Sequence, residues 1–415
     1  MTAPEKGKDI LKRLIEKGVR IPCPEGVEIG DDVSSDRISG DNVVIHSGCR
    51  IYGAETLIMP GVRLGYEAPA TVNNCQIGRG VHLKGGFFEG STFLSNASMC
   101  SGSQVREACL LEEGVRCAHT VGLKHTILFP YVTLGSLINF CDCLMAGGTD
   151  EKNHSEVGSS YIHFNYTPNQ DKATASLIGD VPRGVMINQS PIFLGGQGGI
   201  VGPVILAYGT VTAAGTIVRK DILKEKNLLL GGPALSQMIP FQQGQYLNIK
   251  RIIRLNVNYI ANLIALLRWY EDIRSMFMDG DAMEKALHRG AVDKLDSAIK
   301  ERIKQLANVA EKAHRSIEND SQSETAIRLK DGFFKKWQDM EGLLKDSLSN
   351  EGDPVKRTGF METIKKNISR HGKDYISVIK GLSEQESLTG VFWLQGLIDD
   401  ISGRALALLP GMEGK

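Results

Sequence analysis

Large rings are scarce in this chain: aromatic residues make up 6% of its 415 residues. Excess charge is absent too, because 48 Lys and Arg balance 48 Asp and Glu. That balance gives no support to nucleic-acid binding or to a polybasic membrane surface. No run of 18 apolar residues occurs, so no membrane span is expected. A signal peptide is not expected either. Met1–Lys8 is polar, and the first apolar residues (Ile10, Leu11, Leu14, Ile15) are helically spaced and interrupted by Lys12, Arg13 and Glu16. Cysteine is missing after Cys143; all 8 lie between Cys23 and that residue, at sites that otherwise take Val, Ile or Leu. A reduced, cytoplasmic protein accounts for this. The pair Cys141 and Cys143 has no second ligand pair at metal-binding spacing, so no metal is expected.

Glycine is abundant, at 46 residues. Many glycines with few rings suit a protein of tight turns. Up to about Lys220 the chain repeats with a period of six. Val105, Leu111, Cys117, Leu123 and Phe129 form one series, and Cys109, Val115, Val121 and Ile127 a second. The beat returns at Ile205, Val211 and Ile217, with Thr210 and Thr216 six apart. Shorter matches pair Ile58 with Val62, Ile77 with Val81, Leu128 with Val132 and Val157 with Tyr161. Neither a 3.6-residue helix nor a lone strand has this period. It predicts a solenoid whose coil has three short sides, each hexapeptide sending its apolar residue inward and turning on Gly or Asn. Period alone does not fix the hand.

Residues 1–20 read as a capping helix, with Asp9–Lys17 at its centre, and 21–222 as the β-helix. Residues 137–200 read as irregular, with a loop at Gly147–His154 and an inserted, glycine-rich loop at Leu194–Gly199. That glycine run lacks the lysine and following helix of a P-loop. Pro233 and Pro240, with Gly231, Gly232 and Gly244, mark a linker over 223–247. The remainder, 248–415, reads as a helical domain. Ile252, Leu255, Tyr259, Leu263, Leu266, Tyr270, Ile273 and Phe277 form one apolar stripe, and further amphipathic stretches cover 281–317, 324–348, 355–380 and 384–409.

Arg106 and Lys124 are 18 residues apart, and each directly follows an inward position. An 18-residue coil stacks the two cations on one outer face. Like charges at that distance favour an anion between them, and Arg and Lys both suit phosphate. Solvated pairing with Glu112 or Glu113 is the alternative. The polar segment His163–Lys172 leaves a rigid scaffold just before the beat resumes, where a ligand site is expected.

Arg106, Lys124, Gly135–Asp142, Asn165, Tyr166, Lys172, Ile178–Asp180 and Ala214–Arg219 together resemble the C-terminal domain of the bifunctional N-acetylglucosamine-1-phosphate uridyltransferase/glucosamine-1-phosphate N-acetyltransferase family. The resemblance covers roughly 18–222, with a small insertion near 147–154 and a longer one near 191–200. It implies a left-handed parallel β-helix that forms homotrimers with sites between subunits. Arg106, Lys124 and Lys172 would then hold a sugar phosphate or nucleotide sugar, Asn165 and Tyr166 would touch the sugar, and Ala213 and Arg219 would bind acetyl-CoA. The family's catalytic histidine corresponds to Ser136, and a phosphate-contacting tyrosine to Asn139. Serine alone is no base near neutral pH, which leaves His125, His154 or His163 as the base, with His163 beside the Asn165–Tyr166 loop. A catalytically silent sugar-nucleotide binder, regulatory or scaffolding, is the alternative, and a purely structural trimer a third. No counterpart of the family's nucleotidyltransferase domain is found, so uridyl transfer is not expected of these residues.

Overall fold

A computed structural model of the chain describes residues 7–232, 238, 244–319 and 323–412. Pro233 and Pro240 of the expected linker lie outside the described residues, as do 1–6 of the expected cap and 413–415 at the other end. Helix α1 (Gly7–Glu16) closes the first coil by burying Ile10 and Leu14. Parallel pairing then runs from Glu28–Ile29 to Leu228–Leu229. The result is a parallel β-solenoid, as the six-residue beat predicts.

The coil has three faces. One carries Ser103–Val105, then Gly122 to Lys124, Asn139 to Cys141, Ile162–Phe164, Gly199–Val201 and Ile217–Val218. A second carries Gln76–Ile77, Thr92–Phe93, Leu110–Leu111, Ile127 and Leu128, Leu144 and Met145, and Ser176–Ile178. The third is a separate ten-stranded sheet. Strands Gly122–Leu128 and Asn139–Met145 each bend around the corner between the first two faces, at His125 (φ 45°) and Asp142 (φ 58°). Both residues sit in the left-handed region, as do Ala108, Thr120, Tyr131 and Leu137 at other corners. The corners are therefore not reserved for Gly and Asn. Each such residue costs on the order of 1 kcal/mol or more, offset by the ladder on either side.

Val105 faces Leu123, so the winding there takes 18 residues. Residues 137–200 keep the ladder through two longer coils. The glycine-rich run is a tight corner within a coil, correcting the expected inserted loop: a Cβ on Gly195 would meet Ala213 backbone at 2.5 Å, and one on Gly158 would meet Gly196 at 2.4 Å. The extra residues lie instead between Phe164 and Ser176 and around the short helix α2 (Val181–Gly184). The phase of the last coils also differs from the expected one. Leu206, Thr210, Thr212, Thr216 and Val218 point inward, whereas Val211 is exposed and Ile205 and Ile217 are only partly covered. A run such as Ile217–Val218 is apolar at both positions, so periodicity alone cannot choose the inward one.

Most of the C-terminal stripe becomes helix α3 (Ile249–Asp272), which ends before Ile273 and Phe277 and is buried along Leu255–Tyr270 except at half-covered Asn258 and Arg268. Helix α4 (Ala282–Arg315) starts at an Asp281 cap. Helices α5 (Glu324–Lys335), α6 (Trp337–Asp346), α7 (Pro354–His371), α8 (Tyr375–Lys380) and α9 (Glu384–Ala407, with a Ser383/Glu386 capping box) complete the bundle. Its apolar side chains merge with the solenoid interior into one core.

Helix α4 lies along the second face. Gly290 lets it approach closely: a Cβ there would meet Gln76 Oε1 at 2.5 Å. The 12 residues from Gly290 to Arg302 rise about 18 Å, and the four rungs from Gln76 to Leu144 span about 19 Å. The helix axis therefore follows the solenoid axis. Polar bolts join the two parts. Tyr270 donates to Glu112 at 2.5 Å, and Arg274, stacked on Tyr375 at 3.8 Å, pairs with Glu113 at 2.6 Å. Glu112 and Glu113 are thus committed to the helices, not to Arg106 or Lys124.

Burial, reinforced by Glu113, pushes the Glu112 carboxyl from its ordinary 4.5 up to about 7, against the pull of Arg274 and Tyr270. A folded-state pKa above the unfolded one makes ionisation a penalty that grows as pH rises through that window. Glu112→Gln keeps the Tyr270 acceptor and removes the penalty. It is expected to match the parent at pH 5 and to be more stable by on the order of 2–3 kcal/mol at pH 8. Chemical denaturation at the two pH values checks this; equal differences at both would refute it.

Candidate functional site

Strand alternation builds the site. On the first face the inward row is Val105, Leu123, Phe140, His163, Ile200 and Val218, all nearly or fully buried. One residue further along, the outward row is Arg106, Lys124, Cys141, Phe164, Val201 and Arg219. Arg106 and Lys124 therefore stand one rung apart, as the 18-residue spacing requires. With Gln104, Leu137, Asn139 and Cys141 they line a groove of about 510 Å³.

The two cations are not bare. Arg106 approaches Glu89 at 3.7 Å and lies over the Phe87 ring at 4.5 Å, and Lys124 pairs with Glu107 at 2.8 Å. Hydrogen bonding to Glu107 keeps the Lys124 ammonium above its ordinary range. An anion is thus not needed to separate the charges; a phosphate would have to compete with, or displace, two half-exposed carboxylates. Exposed pairs of this kind contribute little, about 0–1 kcal/mol each, so the exchange is cheap. Lys172 is not one of the residues lining the groove; its backbone carbonyl accepts from Arg302 at 3.0 Å behind it, and its charge joins those of Lys124 and Arg302 in drawing the Cys141 thiol downward. Burial and Asp142 outweigh them and push that thiol up to about 11. Cys141 is thus a neutral, apolar groove wall at physiological pH.

Asp142 sits behind the groove and is buried. Burial alone would raise its carboxyl, but Arg302, His125 and Asn165 hold it below the usual carboxylate range. The contacts are 2.7 Å to Arg302, 3.2 Å to His125 and 3.2 Å from Asn165 Nδ2. Asn165 is thereby fixed beside the groove, while Tyr166 is 60% exposed at the start of the loop. Ala213 lies at a coil corner, its N–H donating to the Leu229 carbonyl, and Arg219 is exposed on the outer face.

The histidines fall differently from expectation. His163 occupies the inward row and is 2% exposed. Its ring nitrogens contact the Cys141 carbonyl (2.6 Å) and Ser176 Oγ (2.8 Å), and burial lowers its pKa to about 4. It does not reach the groove. His125 is tied to Asp142 at the corner, and His154 contacts the Glu151 carbonyl in the loop at 2.8 Å. The histidine that sequence reasoning missed is His119, whose Nδ1 lies 2.9 Å from Ser136 Oγ. Ser136 also receives support from Ser159, whose Oγ accepts its backbone N–H at 3.2 Å. Thr120 and Leu137, the residues that follow His119 and Ser136, line the groove. The available signal was the 17-residue offset, one coil in this part of the chain. Among the described residues no group of three or more His, Cys, Asp or Glu converges as a metal would require, and no helix is long and apolar enough to cross a membrane.

No family model matches the chain. It is similar to the bifunctional protein GlmU of Acinetobacter baumannii (strain AYE), 25% identical over 226 residues, which is 52% of this chain and 43% of that protein. GlmU of Pelobacter propionicus is 26% identical over 219 residues, 51% of this chain and 42% of that one. GlmU of Herminiimonas arsenicoxydans is 22% identical over 219 residues, 52% and 43% of the two chains. The match thus spans less than half the length of these relatives. It agrees with the resemblance carried by Arg106, Lys124 and the Asn165–Lys172 segment.

Neutral, doubly hydrogen-bonded His163 makes folding sensitive to acid. With its folded pKa depressed to about 4, the stability it contributes is present above the unfolded value near 6.5 and is lost as pH falls toward 4. Melting temperature is expected to fall over that window in the parent and to fall less steeply in His163→Gln, at a lower starting stability. Parallel curves would show that His163 does not titrate this way.

Proposed function

We propose that the groove beside Arg106 and Lys124 binds a sugar phosphate or nucleotide sugar, and that the protein is an acyl-CoA-dependent acyltransferase of the cytoplasm. The observation that carries this reading is the outward row itself. Cations at Arg106 and Lys124 begin it, Cys141, Phe164 and Val201 form an apolar middle, and Arg219 ends it four rungs, about 19 Å, from Lys124. A ligand with phosphates at one end and an apolar arm suits the Arg219 end of that row, and a phosphorylated sugar suits the other. The GlmU-like character of the same residues supports the assignment.

Acetyl-CoA, when bound, supplies an acyl group activated as a thioester. Arg106, Lys124 and Lys172 hold the acceptor's phosphate, releasing Glu89 and Glu107 to solvent. Asn165, held by Asp142, and Asn139 on the groove wall orient the sugar. Ser136 takes the place of a direct base: its Oγ would accept the proton of the attacking amine or hydroxyl while passing its own to His119 Nδ1, and that proton would return to the thiolate released when the acyl C–S bond breaks. A relay through one hydroxyl keeps the base within reach of the reacting group. The exposed side chains Ile162, Phe164 and Val201 on the same face support a homotrimer with the groove at a subunit boundary.

Consumption of acetyl-CoA with glucosamine-1-phosphate or a related amino-sugar phosphate is the expected result of a coupled thiol-release assay. Arg106→Ala and Lys124→Ala should each raise KM for the acceptor about 10- to 100-fold, the loss of one charge-assisted contact. His119→Ala should lower kcat by about 10²- to 10⁴-fold with KM little changed. A second reading, a silent sugar-nucleotide binder, is favoured by the missing histidine at position 136 and by the carboxylates that already neutralise both cations. A folded protein that shows no turnover across a panel of amino-sugar phosphates, yet a thermal shift with UDP-N-acetylglucosamine and none with acetyl-CoA, would establish that reading in place of the first.

A further inference from the structure

Arg302 comes from helix α4, far along the chain from the groove, yet it is 2% exposed and sits directly behind it. Its Nη2 lies 2.7 Å from Asp142, and its Nη1 donates to the Lys172 carbonyl at 3.0 Å. Asp142 in turn holds Asn165 and His125. One guanidinium thus ties both ends of the loop that runs from Asn165 to Lys172. The middle of the loop is tied to α4 and to the segment that leads into α3. Lys312 donates to the carbonyls of Asn169 (3.0 Å) and Gln170 (2.6 Å), Gly244 N–H donates to Asn169 Oδ1 at 2.9 Å, and Tyr246 donates to Asp171 at 3.1 Å. The loop needs these ties, because it leaves the ladder and has no neighbouring coil to fix it.

We propose that the helical part of the chain is the positioning element of the ligand groove, with Arg302 as its positioning residue and Lys312 as its second tether. The substrate side of this inference rests on the reading of the groove as a sugar-phosphate site. Without Arg302, buried Asp142 loses its one permanently charged partner and keeps only His125 and the Asn165 amide. The anchor of Asn165 is then loosened and Lys172 loses its backbone restraint, although neither of these two residues has been altered. Because binding and positioning are linked, a ligand that orders the loop also tightens the seating of α4 on the solenoid, and any partner that moves α4 alters the groove.

The test compares full-length Arg302→Gln and Lys312→Ala with Arg274→Gln, which removes an equally buried bolt of the same junction that does not touch the loop. Backbone hydrogen exchange over 165–172, without ligand, is expected to quicken at least 10-fold in Arg302→Gln and severalfold in Lys312→Ala, and to stay within 2-fold of the parent in Arg274→Gln. Affinity for glucosamine-1-phosphate, measured by calorimetry, should fall at least 10-fold in Arg302→Gln with little change in Arg274→Gln. Should Arg302→Gln fail to fold, Lys312→Ala, at a half-exposed site, carries the same two readouts. Unchanged exchange in 165–172 in the folded variants overturns the proposal. A parent that binds no sugar phosphate overturns the groove reading instead, and the exchange comparison still decides the positioning role.

Discussion

Rung-to-rung register is the constraint on which everything else in this protein depends. Each residue on a face stands about 4.8 Å from its counterpart in the next coil, so chemistry is composed by rows and not by local motifs. Val105 opposite Leu123 sets Arg106 beside Lys124, and the same register, carried onward, leads to Cys141, Phe164, Val201 and Arg219. The inward row obeys the same rule, which is why a histidine between two apolar neighbours ends in the core. A shift of one residue would exchange the two rows and abolish the groove.

The second principle is departure from that register at only a few places. The long coil between Ile162 and Gly199 releases the Asn165–Lys172 loop and helix α2, and both are received by the C-terminal helices. Asn262 accepts the Val181 N–H at 3.1 Å, and Asn256 donates to the Ala173 carbonyl at 2.9 Å. Polar groups freed by leaving the ladder are thus satisfied by buried asparagines of α3. Helices and inserted segments form one construction, and the groove lies at its edge.

Much of this was legible in residue order. The six-residue beat predicts the solenoid, since no other regular structure has that period, and the 3.6-residue stripe from Ile252 to Phe277 predicts α3. The stacking of Arg106 and Lys124 follows from their 18-residue spacing. The rest was hidden for stated physical reasons. The beat restarts after the Gly147–His154 loop at Val157, and His163 stands six residues further on, but a polar residue at an inward position is not recognised by a pattern built on apolar ones. Ile205, Val211 and Ile217 are apolar although outward-facing or only partly covered, which inverts the usual pattern. His119 joins Ser136 only through coil geometry, and Arg302 reaches Asp142 across 160 positions of sequence, a distance no local pattern spans. The roles borrowed from the resembling family concern the groove residues; the carboxylates of Glu89 and Glu107 that neutralise it come from the preceding coils.

The alignment of α4 with the solenoid axis has a mechanical side. A stack of coils held by nearest neighbours alone is compliant, because a small opening at each rung adds up along its length. One helix of 34 residues that grips Arg79 near its start, Gln76 beyond it, Asp142 midway and Asn169 near its end acts as a splint. Bending or stretching the prism over those coils must then strain a continuous hydrogen-bonded rod. Rigidity in this half of the molecule is lent by a segment that contributes no coil of its own.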